Sequence, residues 1–259
     1  MPASDLPLLI EAAEDAGRIA TRFIGAPIEV REKPDGAGPV TEADLAVDAA
    51  LAQILRAARP EYGWLSEETE DGPARLASER VFIIDPIDGT RAFLDGGDGW
   101  AHSLAVAERG VITAAAIYLP MCDKLYTAAA GQGAALNGVP IRVTDRAGLD
   151  GASLLASRPA FVSGIWRDGI VPKVTRAFRP SLAHRLGLVA EGRYDAMLTL
   201  RASWEWDIAA GDLILREAGA VTSTRRAVPL VFNNPDPRLD GVIAANPALH
   251  RALHAALAD

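Results

Sequence analysis

The segment Phe82-Ile83-Ile84-Asp85-Pro86-Ile87-Asp88-Gly89-Thr90 drives an apolar run into two carboxylates three residues apart, followed by a glycine and a hydroxyl. Oxygen donors at that density suit a hard divalent cation, and a glycine beside a threonine leaves backbone N–H groups open to a phosphate. Pro86 pushes its predecessor out of the helical region. Asp85 is therefore expected to stand extended at the end of a strand beginning near Val81, with Asp88 in the turn that follows. The same letters could make only a strand and an Asp-Gly turn. Two distant segments argue otherwise. Leu65-Ser66-Glu67-Glu68 places an acid pair after a short apolar run, and Trp204-Glu205-Trp206-Asp207-Ile208-Ala209-Ala210-Gly211 places an acid at the start of an apolar helical pattern. Glu67, Asp85, Asp88 and Asp207 together could hold two ions about 4 Å apart that clamp a phosphate ester and acidify the attacking water. Each acid also has an ordinary explanation: Asp207 as a helix N-terminal acid, Glu67 and Glu68 as a solvated turn, Asp44 as a capping residue. Lys33 reads as a loop lysine.

These side chains need elements to position them. Leu6, Leu9, Ile10, Ala13, Ala16, Ala20, Phe23 and Ile24 recur at helical spacing and predict a helix over residues 5–24 that ends at Gly25. Residues 32–39 have the composition of a mobile loop, and Thr41-Glu42-Ala43-Asp44 opens a second helix running to about Ala58. Tyr62 to Leu65 reads as a short buried strand. After the strand ending at Asp85, residues 103–107, 111–118, 124–129 and 140–143 read as an antiparallel meander, with Arg109-Gly110 and Asn137-Gly138 as turns. From about residue 150 strands and helices alternate. Strands are expected at 153–157, 196–200, 228–232 and 242–245, and helices at 181–191 and 207–218, with a last helix capped by Asn246 and begun by Pro247. The chain thus divides into an α+β half, residues 1–145, that carries the first acids, and an α/β half, residues 146–259, that supplies Asp207.

With 259 residues and 49% hydrophobic content the chain can bury a large core, as a globular enzyme does. A net charge of −8 and the lack of any Lys/Arg run argue against nucleic-acid binding, although a bound cation would still admit small anions. Cys122 is the single cysteine, so no intrachain disulfide is expected. The first residues lack the basic segment and apolar core of a signal peptide, and no apolar stretch reaches the roughly 18 residues of a membrane span. The expected compartment is the cytoplasm, with no membrane insertion.

The chain resembles the inositol monophosphatase family of Mg²⁺-dependent, lithium-sensitive phosphomonoesterases. Residues 85–90 reproduce the family's Asp-Pro-(Ile/Leu)-Asp-Gly-Thr signature. Residues 206–211 and 217–219 match its second signature, Trp-Asp-x-Ala-Ala-Gly followed by Glu-Ala-Gly, and Glu67 and Val40-Thr41-Glu42-Ala43-Asp44 match its upstream acid and helix start. The resemblance implies an α+β / α/β fold, a layered α/β/α/β/α sandwich of the sugar-phosphatase type, often a homodimer. It implies that Glu67, Asp85 and the Ile87 carbonyl hold one Mg²⁺ and that Asp85, Asp88 and Asp207 hold a second. A third ion at Glu67 and Mn²⁺ in place of Mg²⁺ are further implications. Gly89 and Thr90 would meet the phosphate through backbone N–H groups, Thr90 with Asp44 behind it would orient the attacking water, and Glu67 would help activate that water.

Leu65-Ser66-Glu67-Glu68, Asp88-Gly89-Thr90-Arg91-Ala92-Phe93, Ser181-Leu182 and residues 188–192 resemble the 3'(2'),5'-bisphosphate nucleotidase branch, with Arg91 and Ser181 as substrate contacts. Leu200 stands about where inositol phosphatases carry a sugar-binding glutamate, and residues 199–205 lack the Gly-Pro-Thr common in bacterial nucleotidases. The expected substrate is adenosine 3',5'-bisphosphate, split to AMP and phosphate, or else inositol 1-phosphate. Two other classes stay open: a non-catalytic pseudo-phosphatase that senses nucleotide or metal, and a metal-independent hydrolase using His102 or His184 as base.

Overall fold

The computed structural model describes residues 5–33 and 38–258. Helix α1 (Leu6–Ala20) leads through a 3-10 turn to a small hairpin, β1 (Val30–Glu32) and β2 (Pro39–Thr41), and then to α2 (Glu42–Ala58). There follow β3 (Gly63–Ser66), β4 (Arg80–Asp88), α3 (Thr90–Leu94), β5 (Ala101–Glu108), β6 (Val111–Leu119), β7 (Lys124–Ala129), β8 (Ala134–Leu136) and β9 (Val139–Pro140). The remainder comprises β10 (Ser153–Ala156), β11 (Thr175–Ala177), α4 (Leu182–Ala190), β12 (Ala196–Thr199), β13 (Ser203–Trp204), α5 (Glu205–Glu217), β14 (Val221–Ser223), β15 (Arg238–Leu239), β16 (Val242–Ala245) and α6 (Pro247–Ala256).

A seven-stranded sheet runs in sequence order from β3 to β9, and a five-stranded sheet has the order β11-β10-β12-β16-β14. Strand alternation sends neighbouring residues to opposite faces. Phe82, Ile84, Leu104 and Val106 pack against α1 and α2 through Leu9, Val47 and Leu51. Val81, Ile83, Ala105 and Ile117 face the other way, onto Leu186 of α4 and Leu213 and Ile214 of α5. The same buried cluster takes in Leu155, Met197 and Val242 of the second sheet. That sheet's far face, with Leu154, Leu198 and Ile243, packs on Leu249 and Leu253 of α6. The layers are therefore α/β/α/β/α, as expected, with α4 and α5 between the sheets.

Gly211 of the second signature explains how the middle layer closes. A Cβ there would stand 2.6 Å from Leu186 Cβ, so a glycine lets α5 lie directly on α4.

Several expectations are corrected. The strand predicted to stop at Asp85 continues to Asp88, and Thr90 opens the short helix α3. Residues 228–232 form no strand. Pro229 cannot donate to a ladder and Val228 and Val231 are exposed, while the strand at this edge is β14, just past Gly219. Strand 140–143 contracts to β9, and β8 and β11 were not anticipated, each being three residues long. The meander is antiparallel from β4 onward, but β3 lies parallel to β4. Residues 34–37 of the expected mobile loop lie outside the described residues. Arg109-Gly110 and Asn137-Gly138 turn as expected, all four with positive φ.

Candidate active site

Residues three apart on a regular strand point to opposite faces, so a plain β4 would separate Asp85 from Asp88. β4 is bulged: Asp85 pairs with Ser103 but Asp88 with Ala101, an extra residue against β5. Pro86 has no N–H to offer the ladder, and its carbonyl accepts from Nδ1 of the buried His102. The bulge brings both carboxylates to one side. Gly89 then turns the chain with φ 99°, a conformation that disfavours any side chain, although a Cβ there would meet Ser181 only at ordinary contact distance.

Asp207 arrives from the other half of the chain as the third residue of α5. Two contacts hold that helix start in place. Ser103 Oγ donates to the Trp206 carbonyl at 2.9 Å, beside the Asp85 pairing position. Glu205, fully buried, accepts from the backbone N–H groups of Asn233 and Asn234 at 2.6 and 2.9 Å. The acid oxygens of Asp85, Asp88 and Asp207 all lie within 4.8 Å of one another. Asp85 also lies against the carboxyl groups of Glu67 and Asp207, and its Oδ1 is buried with no hydrogen-bond partner among the described residues.

Glu67 and Glu68 follow β3, whose end is tied to α2: Ser66 Oγ and Thr69 Oγ1 both donate to Asp48. Lys33, expected to be an ordinary loop residue, reaches both acids, its Nζ donating to Glu67 and to Glu68 at 2.7 Å each. Thr41 and Asp44 form the predicted capping box of α2. One Asp44 oxygen accepts from the Thr41 N–H at 2.9 Å, and the other accepts from Thr90 Oγ1 at 3.3 Å. The capping role and the role behind Thr90 are thus held by one side chain. Thr90 Oγ1 also lies 3.2 Å from the Ile87 carbonyl.

Crowding of like charges away from water sets the electrostatics. Burial, then the charges of Glu67, Asp88 and Asp207, hold the Asp85 carboxyl well above the usual carboxylate range. Burial, then Asp88 and Glu67, do the same to Asp207. Asp88 is pushed to about 6 by burial, moderated by donors from Ser181 and Ala183. Glu68 rises to about 7 through burial and Glu67, against the pull of Lys33. Burial also raises Asp44, and although burial pulls the Lys33 ammonium down, its two glutamates outweigh it. A divalent cation would reverse the direction for the acids. An all-oxygen donor set, densely anionic and with one oxygen lacking any partner, fits such an ion.

The other anticipated residues fall in different places. Arg91 is exposed on α3. Ser181, expected to contact substrate, is fully buried: its hydroxyl donates to Asp88 Oδ2 at 2.7 Å and accepts from the His184 N–H at 2.9 Å as the cap of α4. Its visible task is holding Asp88, with help from the Ala183 N–H at 2.6 Å. Burial pushes both His102 and His184 down to about 4, so each is neutral at physiological pH. Cys122 sits in a 3-10 turn with its thiol on the Asp98 carbonyl. Lys33, Glu205 and the supporting role of Ser181 were not foreseen. Glu205 adjoins the second signature, and an acid preceding Trp-Asp was the one available sign.

The fold and this acid site define a phosphatase of the metal-dependent, layered-sandwich class. The inositol monophosphatase family model matches residues 3–259, and the chain belongs to that family. It is 33% identical to an inositol-1-monophosphatase of Mesorhizobium japonicum, covering 96% of this chain and 94% of that one. It is 34% identical to the Nus factor SuhB of Pseudomonas aeruginosa, over 84% of each. Among solved structures, the extragenic suppressor protein suhB of Bartonella henselae superposes with a TM-score of 0.82 at 30% identity, covering 96% of both chains.

Proposed function

We propose that this protein is a Mg²⁺-dependent phosphomonoesterase that hydrolyses a small phosphorylated alcohol. The observation that carries the proposal is the convergence of Asp85, Asp88 and Asp207 from two halves of the chain around an oxygen with no partner. Asp85, Asp88, Asp207, Glu67 and the Ile87 carbonyl would hold two or three ions, Mg²⁺ or Mn²⁺. When bound, those ions would neutralise the phosphate, acidify water and stabilise the leaving alkoxide. The protein's own groups do the rest. Thr90 Oγ1, held by Asp44, orients the attacking water, and Glu67 accepts its proton. The N–H groups of Gly89 and Thr90 open α3, where first-turn donors have no partner within the helix, and they face the phosphate. A pseudo-phosphatase would be favoured by a missing ligand, and every expected ligand is present. His102 is wholly buried and neutral, which disfavours a metal-independent base.

The substrate is inositol 1-phosphate or adenosine 3',5'-bisphosphate. Relatives named for inositol phosphate support the first, and Leu200, where a sugar-binding glutamate would stand, weakens it. Ser66, which resembles the nucleotidase branch, is occupied by Asp48 and so speaks little for either. Cytoplasmic location and a homodimer belong to the same proposal. Among the described residues no helix is long and apolar enough to cross a membrane. Some relatives are named Nus factors, but the net charge of −8 gives no support to a broad basic face. The test is phosphate release from inositol 1-phosphate, adenosine 3',5'-bisphosphate, fructose 1,6-bisphosphate and histidinol phosphate with Mg²⁺, Mn²⁺, Li⁺ or EDTA. Turnover that requires the divalent ion is expected, and turnover that survives EDTA would overturn the reading.

A further inference from the structure

β4 and β5 pair on either side of the bulge, Asp85 opposite Ser103 and Asp88 opposite Ala101. Between those pairs two residues, Pro86 and Ile87, stand against one, His102. A bulge leaves the ladder locally unpaired, and a buried carbonyl without a donor costs free energy. The imidazole closes that gap, its Nδ1 donating to the Pro86 carbonyl. A carbonyl oxygen only accepts, so Nδ1 carries the ring proton and Nε2 is bare. Nε2 is buried with no partner among the described residues. An apolar side chain of similar size would fill the space without that loss, so the Nδ1 bond is what the imidazole adds at this position.

The side chains divide about the sheet. Ile84, Ile87, Trp100 and Leu104 belong to the cluster packed on α1 and α2, and strand alternation puts His102 on their side. Its ring lies edge-to-face with Trp100 at 5.4 Å and tilted against Tyr118 at 6.4 Å. The carboxylates of Asp85 and Asp88 gather instead with Asp207 of α5. His102 therefore stands behind the acids, across β4 from the site. Its bond fixes the peptide that joins Pro86 to Ile87. A rotation of that peptide would carry the Ile87 carbonyl and Asp88 away from Asp85, and the Ile87 carbonyl is in place 3.2 Å from Thr90 Oγ1.

We infer that His102 is a positioning residue for the metal site, its Nδ1–H pinning the bulge that keeps Asp85, the Ile87 carbonyl and Asp88 on one side. This role rests on the metal-dependent reading and adds to it a residue that touches neither ion nor substrate. It gives the histidine a task other than that of a base, which full burial behind the sheet denies it. His102 also lies outside both signature segments, residues 85–90 and 206–211.

The test sets three substitutions against one another. In His102→Asn the side-chain amide offers an N–H as many bonds from the backbone as Nδ1, in His102→Gln the N–H stands one bond further, and His102→Leu fills the space with no donor. Mg²⁺ binding without substrate is measured by calorimetry, with thermal melting in EDTA and with kcat and KM over a Mg²⁺ series. Partners behind metal ligands typically change metal affinity by about tenfold to a hundredfold. His102 acts through backbone, so the lower end applies: Mg²⁺ should bind about tenfold more weakly in His102→Leu and His102→Gln and near normally in His102→Asn. KM at saturating Mg²⁺ should stay unchanged in all three. Melting should rank differently, because the smaller asparagine gives up the contacts with Trp100 and Tyr118 and lowers the melting temperature even as Mg²⁺ affinity holds. Mg²⁺ affinity that simply follows melting temperature, or that is unchanged in His102→Leu, would overturn the inference and leave the metal reading intact. A wild type that neither binds Mg²⁺ nor releases phosphate sinks both. If His102→Leu does not fold, the Asn and Gln pair and ¹⁵N NMR of the wild-type ring decide: a protonated Nδ1 with a bare Nε2 supports the assignment, and the reverse tautomer overturns it.

Discussion

Ser181→Ala separates two roles for a residue that local sequence places near substrate and tertiary structure places behind Asp88. The hydroxyl makes two bonds, one to Asp88 Oδ2 at 2.7 Å and one from the His184 N–H at 2.9 Å. Losing the cap costs about 1 kcal/mol. At about 2–4 °C per kcal/mol for a chain of this size, the melting temperature in EDTA should fall by a few degrees. The bond to Asp88 is charge-assisted, about 1.5–3 kcal/mol, and removing it frees the carboxylate to rotate about its remaining donor, the Ala183 N–H at 2.6 Å. Partners that orient metal ligands typically change metal affinity by about tenfold to a hundredfold. The Mg²⁺ concentration for half-maximal activity should rise by that factor, and KM measured at saturating Mg²⁺ should move little. The assay is phosphate release over a two-dimensional grid of Mg²⁺ and substrate, with thermal melting alongside. A raised KM with unchanged Mg²⁺ dependence would refute the reasoning and return Ser181 to the substrate.

Asp85→Asn and Asp207→Asn should each lower turnover by orders of magnitude with circular dichroism unchanged, and near-normal rates in either would reject the ligand assignment. The raised acids also predict a pH dependence. A carboxylate lifted on folding, such as Asp88 at about 6 or Glu68 at about 7, keeps its proton where the unfolded chain has lost its own. Its contribution favours folding below the ordinary value of about 4 and is lost as pH rises through those folded values. In EDTA the melting temperature should therefore decline between pH 5 and pH 8, and excess Mg²⁺ should raise it more at pH 8 than at pH 5. Equal shifts at both would contradict this. Gly211→Ala should destabilise by about 1–2 kcal/mol net, because contact with Leu186 exceeds alanine's helix-propensity gain. A rise in melting temperature would show that α4 and α5 can separate at no cost.

Much of the site was legible because its chemistry is concentrated in short segments. Asp85, Asp88, Gly89 and Thr90 are nearly contiguous, and Pro86 and Gly89 announce their own backbone geometry. Asp44 was legible as a cap because a capping box is a local pattern. Lys33 and Glu205 were not legible, since each acquires its role from partners supplied by remote segments. Lys33 bonds across 34 and 35 residues, and Ser181 bonds Asp88 across 93. The strand expected at 228–232 failed for a related reason: a run of apolar residues is a strand only if a neighbouring edge pairs with it.

The sequence by itself marked out the candidate ligand residues and the helix and strand periods that build the fold, and its resemblance to a family implied the layered class. Hydrophobic period, proline and glycine act over a few residues, and such effects are written locally. Only the tertiary structure decided that a bulge turns Asp85 and Asp88 to the same side, that Ser181 supports an acid, and that Lys33 meets Glu67 and Glu68. Those outcomes depend on how the sheets and helices pack, because carboxylates and guanidinium groups act on each other through distance and burial, which chain order does not specify.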